Sequence, residues 1–217
     1  MVTVPRGSAL RHRRTSLVEH VQRSTSAADV FAVASARLRR LVPFDAAAWL
    51  ATDPGTGLPT APSRIDDLDG VTQAMCSAHW HHELLTDDVN LFRDLARAET
   101  PSAALRRTVG DPGRSGRFRR FLRPLGFHDE LRTVLRVGDA AWGTVTLWRR
   151  AGTDAFSSSE ESMLASLSAP LGEALRRHAR PAAAPAVRPP PIDPPGLLVF
   201  DAGGDVVSVN DEAQAWL

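Results

Sequence analysis

The chain contains no lysine: all 26 of its basic residues are arginine. This fits a GC-rich genome better than any function of arginine. A single cysteine, Cys76, excludes an internal disulfide framework. There is no apolar run of membrane length and no leader with an apolar core behind its basic start. Together these absences predict a cytoplasmic protein with no membrane partner. Net charge is only +1, so the whole-chain field favours neither nucleic acid nor a lipid surface. No Gly-x-Ser-x-Gly, phosphate loop or dinucleotide fingerprint occurs. The expectation is a non-enzyme with no catalytic residues, no metal and no cofactor.

What is present is concentrated between His128 and His178. From Glu130 to Val137, Leu131, Thr133, Leu135 and Val137 alternate with Glu130, Arg132, Val134 and Arg136, as a strand requires. Gly138-Asp139-Ala140 supplies a turn. In the next run Trp142, Thr144, Thr146 and Trp148 alternate with Gly143, Val145 and Leu147. So short a connection makes the hairpin antiparallel. Ser157 with Glu160 then predicts a capping box, opening a long helix that carries Leu164, Leu167, Leu171, Ala174 and Leu175. Pro170 lacks the N–H such a helix needs and should kink it.

Upstream, residues 1–14 read as a flexible basic arm. Ser16 with Glu19 predicts a short helix bearing Leu17, Val18 and Val21. Ser26 with Asp29 predicts a second, striped by Val30, Val33, Ala34, Leu38 and Leu41. Strands are expected over 44–51 and 58–65, a third helix over 69–85, a short helix over 87–97, a strand over 103–109 and a basic helix over 115–123. After Arg180 the composition changes. Residues 181–195 form a Pro/Ala-rich linker. Residues 196–217 read as strand, turn, strand and the start of a helix, too little to bury a core alone.

The stretches SGRFRRFLRPLGFHDELRTVLRVGDAAWGTVTLWR (115–149) and DAFSSSEESMLASLSAPLGEALR (154–176) resemble a GAF domain. More narrowly, they resemble the N-terminal region of actinobacterial LuxR-type helix-turn-helix transcription regulators. PGLLVFDAGGDVVSVNDEAQAWL (195–217) is similar to the opening of the degenerate PAS-like unit that follows in such regulators. The resemblance implies an α+β fold: a GAF-like central antiparallel sheet with helices on both faces over residues 15–180, plus a C-terminal PAS-like hairpin fragment. It also implies a sensory and dimerising module, a homodimer built through the first and last helices, and a small-molecule effector. DNA would be reached only through a helix-turn-helix domain downstream of Leu217. A ligand-free pairing scaffold and a GAF-type thiol redox enzyme using Cys76 are the competing readings.

Trp49, Trp80, Phe92, Phe118, Trp142, Thr144, Thr146 and Trp148 are the candidate ligand-binding residues. Aromatic walls with a few hydroxyls suit a small-molecule pocket; they equally suit a core beneath a helix. Cys76, His79, His81 and His82 offer no second ligand pair from another segment, so a polar helix face with His82 partly buried is expected rather than zinc. A lone cysteine on a helix is read as a small packing residue. Arg106, Arg107, Arg114, Arg117, Arg119, Arg120 and Arg123 are read as a solvated face, in preference to an anion site or a nucleic-acid patch, which would need interleaved aromatics.

Overall fold

A computed structural model describes residues 6–179, 196–201 and 203–214. The chain divides into two compact units, Met1–Ala179 and Arg180–Leu217. The expected linker, 181–195, lies outside the described residues.

The first unit is an α+β layer structure around a five-stranded antiparallel sheet ordered β2-β1-β5-β4-β3. The strands are β1 (Ala46–Thr52), β2 (Pro59–Asp66), β3 (Ser102–Ala104), β4 (Phe127–Val137) and β5 (Ala140–Arg150). The last two form the hairpin expected from the alternating run. On one face lie α1 (Arg6–Gln22), α2 (Ala27–Leu38) and, near the end of the unit, a helix over Ser168–His178. They bury Leu17, Val21, Phe31, Leu38, Leu171 and Leu175 against Ala47, Trp49, Leu131, Leu135 and Leu147. On the other face, α3 (Gln73–Leu84), α4 (Phe92–Leu95), α5 (Leu105–Val109) and the connections between them cover Ala46, Trp148 and Val134.

Caps behave as their residue types dictate. Ser26 accepts the Asp29 N–H at 3.1 Å, and Thr72 accepts the Met75 N–H at 3.3 Å. Ser157 and Glu160 form the reciprocal capping box that opens α6 (Ser158–Ala165).

Several expectations are corrected. Residues 6–14 are not a free arm but the first half of α1, so Ser16 lies inside that helix rather than capping it. The helix expected over 87–97 is reduced to the single turn of α4. Residues 102–109 are a three-residue strand followed by a helical turn, not one strand. The helix expected over 115–123 is a π-type turn, Phe118–Leu122, followed by a 3-10 turn, Arg123–Leu125. The long last helix is two helices, α6 and α7 (Ser168–His178), parted at Ser166–Leu167. Pro170 sits in the first turn of α7, where its missing N–H would have served the carbonyl of Ser166.

The hairpin itself carries a bulge. Leu135 pairs with Gly143 and Arg136 with Ala141, so Trp142 is an extra residue on β5. It joins the core on the α7 side, while Trp148 packs on the opposite face. The two tryptophans therefore do not share a face.

The second unit is a hairpin, β6 (Leu198–Phe200) with β7 (Val206–Val209), followed by α8 (Asp211–Gln214). Among the described residues no helix is long and apolar enough to cross a membrane.

Candidate functional site

A cleft of about 590 Å³ opens between the sheet and the α3–α4 layer. Its floor is Val134 of β4 with Ala141 and Thr144 of β5. Trp80, from α3, and Phe92, from α4, form aromatic walls. The fourth side is the β1–β2 turn, Pro54 to Leu58. Asp53 holds that turn: its Oδ1 accepts the N–H groups of Gly55 at 3.1 Å and Thr56 at 2.8 Å, and the Thr56 hydroxyl at 2.9 Å. Those bonds, the Thr56 N–H first, lower the Asp53 pKa below the usual carboxylate value.

Beside the cleft lies a buried ionic network. Glu83 of α3 accepts Arg132 Nη2 at 2.6 Å through Oε2 and the Phe92 N–H at 2.9 Å through Oε1. Arg132 also donates to the Asn90 carbonyl at 2.7 Å, and its guanidinium lies 3.7 Å from the Phe92 ring centroid. Arg117 reaches Glu130 with Nη2 at 2.7 Å, and Trp148 Nε1 donates to the other Glu130 oxygen at 3.1 Å. Arg117, Glu130 and Arg132 are fully buried. Burial of this kind is tolerated only when each charge is matched at short range. For Glu130, burial would raise the pKa, but Arg117 and Arg132 override it and hold the carboxyl down at about 2.

His79 stands against this network. Its ring meets Phe121 at 4.8 Å between centroids, and its buried Nδ1 has no hydrogen-bond partner among the described residues. Burial first, then the fields of Arg132 and Arg117, lower its pKa to about 4. The imidazole is neutral at physiological pH. His82, one turn on, sits over Gly116, where a Cβ would lie 2.5 Å from the ring. It is partly buried, as expected.

Of the eight candidate residues, Trp80, Phe92 and Thr144 line the cleft. Trp49 is fully buried on the opposite face of the sheet, against Phe31 at 6.1 Å between centroids. Trp142 is on that face too, through the bulge. Phe118, Thr146 and Trp148 are buried on the cleft side of the sheet without lining the cleft. Arg117 departs from the solvated face foreseen for its stretch, whereas Arg107, Arg114, Arg119, Arg120 and Arg123 are exposed. Glu83, Arg132 and Glu130 were not foreseen as a network. The available signal was Glu130 and Arg132 facing the same side of a strand expected to be covered on both faces. Cys76 is exposed rather than packed. Among the described residues no group of three His, Cys, Asp or Glu side chains could hold a metal ion.

No family model matches the chain. No curated protein matches it either. Solved structures do. Escherichia coli SdiA aligns with a TM-score of 0.53 at 16% identity, over 76% of this chain and 67% of that one. The GAF domain of a phosphoenolpyruvate-protein phosphotransferase from Coxiella burnetii aligns at 0.49 and 11% identity, over 80% of this chain and 96% of its own. A GAF domain/HD domain protein from Geobacter sulfurreducens aligns at 0.48 and 19%, over 70% and 94%. At 16% identity the likeness to SdiA concerns the fold alone.

Proposed function

We propose that this chain is a sensory module that binds a small molecule in the cleft between the sheet and the α3–α4 layer. It would serve a bacterial transcriptional regulator and relay occupancy to a DNA-binding domain elsewhere in that protein. The observation that carries the reading is the cleft itself: a floor of Val134, Ala141 and Thr144, aromatic walls and ordered charge at its edge, supplied by elements far apart in sequence. The regulator setting rests on the resemblance of residues 115–149 and 154–176. Homodimerisation through α1 and α7 rests on the same resemblance. The reading is of a binder, with a thiol redox enzyme as the alternative that the Cys76→Ser test below addresses.

A sensor transmits only if its ligand binds two conformations unequally. The parted α6–α7 pair supports such a relay, because α7 packs directly on β4, whose other face is the cleft floor. Native mass spectrometry of protein purified from cells tests the proposal. A stoichiometric extra mass, lost in Ala141→Phe, is expected. A bare chain under every growth condition favours the pairing scaffold instead. Loss of a measured thiol-dependent activity in Cys76→Ser would favour the redox enzyme.

A further inference from the structure

The charge around the cleft says what kind of molecule it would take. This step rests on the reading of the cleft as a ligand site. Glu83 lines it, but both its oxygens are engaged and its charge is matched by Arg132 inside the protein. Arg93 at the edge pairs with Asp87 at 3.0 Å. Two further guanidiniums line the cleft, Arg97 and Arg136. Their visible partners are main-chain carbonyls: Arg97 donates to the Arg93 carbonyl at 3.1 Å, and Arg136 to those of Ala96 and Glu99, each at 2.9 Å. Carbonyls fix these side chains without cancelling their charge. Among the described residues neither forms an ion pair, and the only other carboxylate lining the cleft is Asp139. Among the side chains that line the cleft, two unmatched cations therefore stand against one unmatched anion; Asp53, behind the β1–β2 turn, spends its carboxylate on the N–H groups of Gly55 and Thr56 and the Thr56 hydroxyl. Its floor, Val134 and Ala141, and its walls, Trp80 and Phe92, are apolar or aromatic.

We propose that the occupant is a small amphipathic acid, with an apolar or aromatic body on the Val134–Ala141 floor and one anionic group at Arg97 and Arg136. A guanidinium already anchored loses little freedom on meeting an anion and offers it two parallel donors. A low-dielectric wall beside it strengthens the attraction. A neutral molecule of the same shape would leave the two charges unanswered.

The test uses two dyes with the same aromatic body, anilinonaphthalene sulfonate, which is anionic, and phenylnaphthylamine, which is not. Both are titrated into the full chain by fluorescence. The sulfonate should bind about tenfold more tightly, a difference typical of one charge-assisted hydrogen bond. That preference should vanish in Arg97→Gln/Arg136→Gln and weaken as salt is raised. Ala141→Phe, which fills the floor, should abolish binding of both dyes. Each variant is first matched to the parent by near-ultraviolet circular dichroism. Because Arg97 is exposed, Arg97→Gln alone serves if the double variant does not fold. Equal affinities, or a preference unchanged by the glutamine variants, overturn the acidic ligand while leaving the cleft as a binding site. Binding of both dyes unaltered by Ala141→Phe overturns the cleft reading itself.

Discussion

Arg14 donates twice to Ser166, from Nε to the hydroxyl at 2.8 Å and from Nη2 to the carbonyl at 2.8 Å. Ser166 stands four residues before Pro170, so its carbonyl is the acceptor that the proline cannot serve. An arginine from the first helix thus completes the break that a proline makes near the end of the unit. It fastens α1 to the elbow between α6 and α7.

Removing that arginine should therefore cost stability and loosen the elbow. Arg14→Ala is expected to lower unfolding free energy by about 1 kcal/mol, the usual net worth of such bonds. In a Pro170→Ala background the helix can supply its own N–H to Ser166, and the loss from Arg14→Ala should shrink. A double-mutant cycle by urea unfolding reads the difference. Equal losses in both backgrounds would disprove the link between arginine and proline.

The hairpin and the capping box were legible because both are local: a period-two alternation around a glycine turn, and a serine three residues before a glutamate. Trp142 was not legible. A one-residue bulge flips every side chain beyond it without disturbing the alternation that predicts the strand. Trp49 was ambiguous for a simpler reason. Its strand is largely alanine, so nothing in the pattern states which face is which. Residues 6–14 look like a solvated arm because their arginines and His12 dominate. What orders them is the partner of Arg14, some 150 residues away, together with Leu17 and Val21 packed on α2 and the distant α7. The ionic network, too, joins residues 49 positions apart, beyond the reach of any local motif. Five of the eight cleft candidates fall outside the cleft, because aromatic content alone does not separate core from cleft.

Ser168 performs a second repair. Its hydroxyl donates to the Val134 carbonyl at 2.6 Å and accepts the Arg136 N–H at 3.2 Å. Beyond the last β3 pair, Ser102 with Thr133, Pro101 accepts the Val134 N–H at 2.9 Å but has no N–H to return, so the Ser168 hydroxyl serves the Val134 carbonyl in its place. Ser168→Ala should leave a buried donor and acceptor unmet and cost roughly 1–3 kcal/mol in urea unfolding, with an unchanged denaturant slope. Gly172→Ala should be damaging as well, since its Cβ would lie 3.1–3.2 Å from the β4 backbone at Leu135 and Arg136. If Ser168→Ala melts at the parent's temperature, that hydroxyl is not needed to close β4.

Acid should destabilise the protein in two steps. His79 has a folded pKa of about 4 against an ordinary 6.5. Between those values the unfolded chain binds a proton that the folded chain refuses, so stability falls as pH drops from 6.5 towards 4, by at most about 3 kcal/mol. Glu130, held at about 2 against an ordinary 4.5, adds a second loss as pH falls from 4.5 towards 2. Urea midpoints measured across pH check both steps. His79→Gln should shrink the upper step to what His82, also lowered by burial, contributes, and leave the lower one; an upper step of undiminished slope in that variant would assign it to another group.

Glu83 and Arg132 tie α3 to the sheet beside the cleft, and truncating either should do more harm than removing both. Arg132→Met strands the Glu83 carboxylate, and Glu83→Leu strands the Arg132 guanidinium. Each should cost about 3–5 kcal/mol, the usual penalty for an uncompensated buried charge. The double variant leaves two apolar chains of similar bulk, and its loss should be smaller than either single one. Phe92 adds a second readout, because its N–H is bonded to Glu83 and its ring lies on Arg132. Both single variants should release α4 and speed amide exchange at Phe92, while exchange at Val30, on the far side of the sheet, stays slow. Single variants as stable as the double would show that these charges reach water despite their burial, and that the α3 layer is held by its apolar contacts alone.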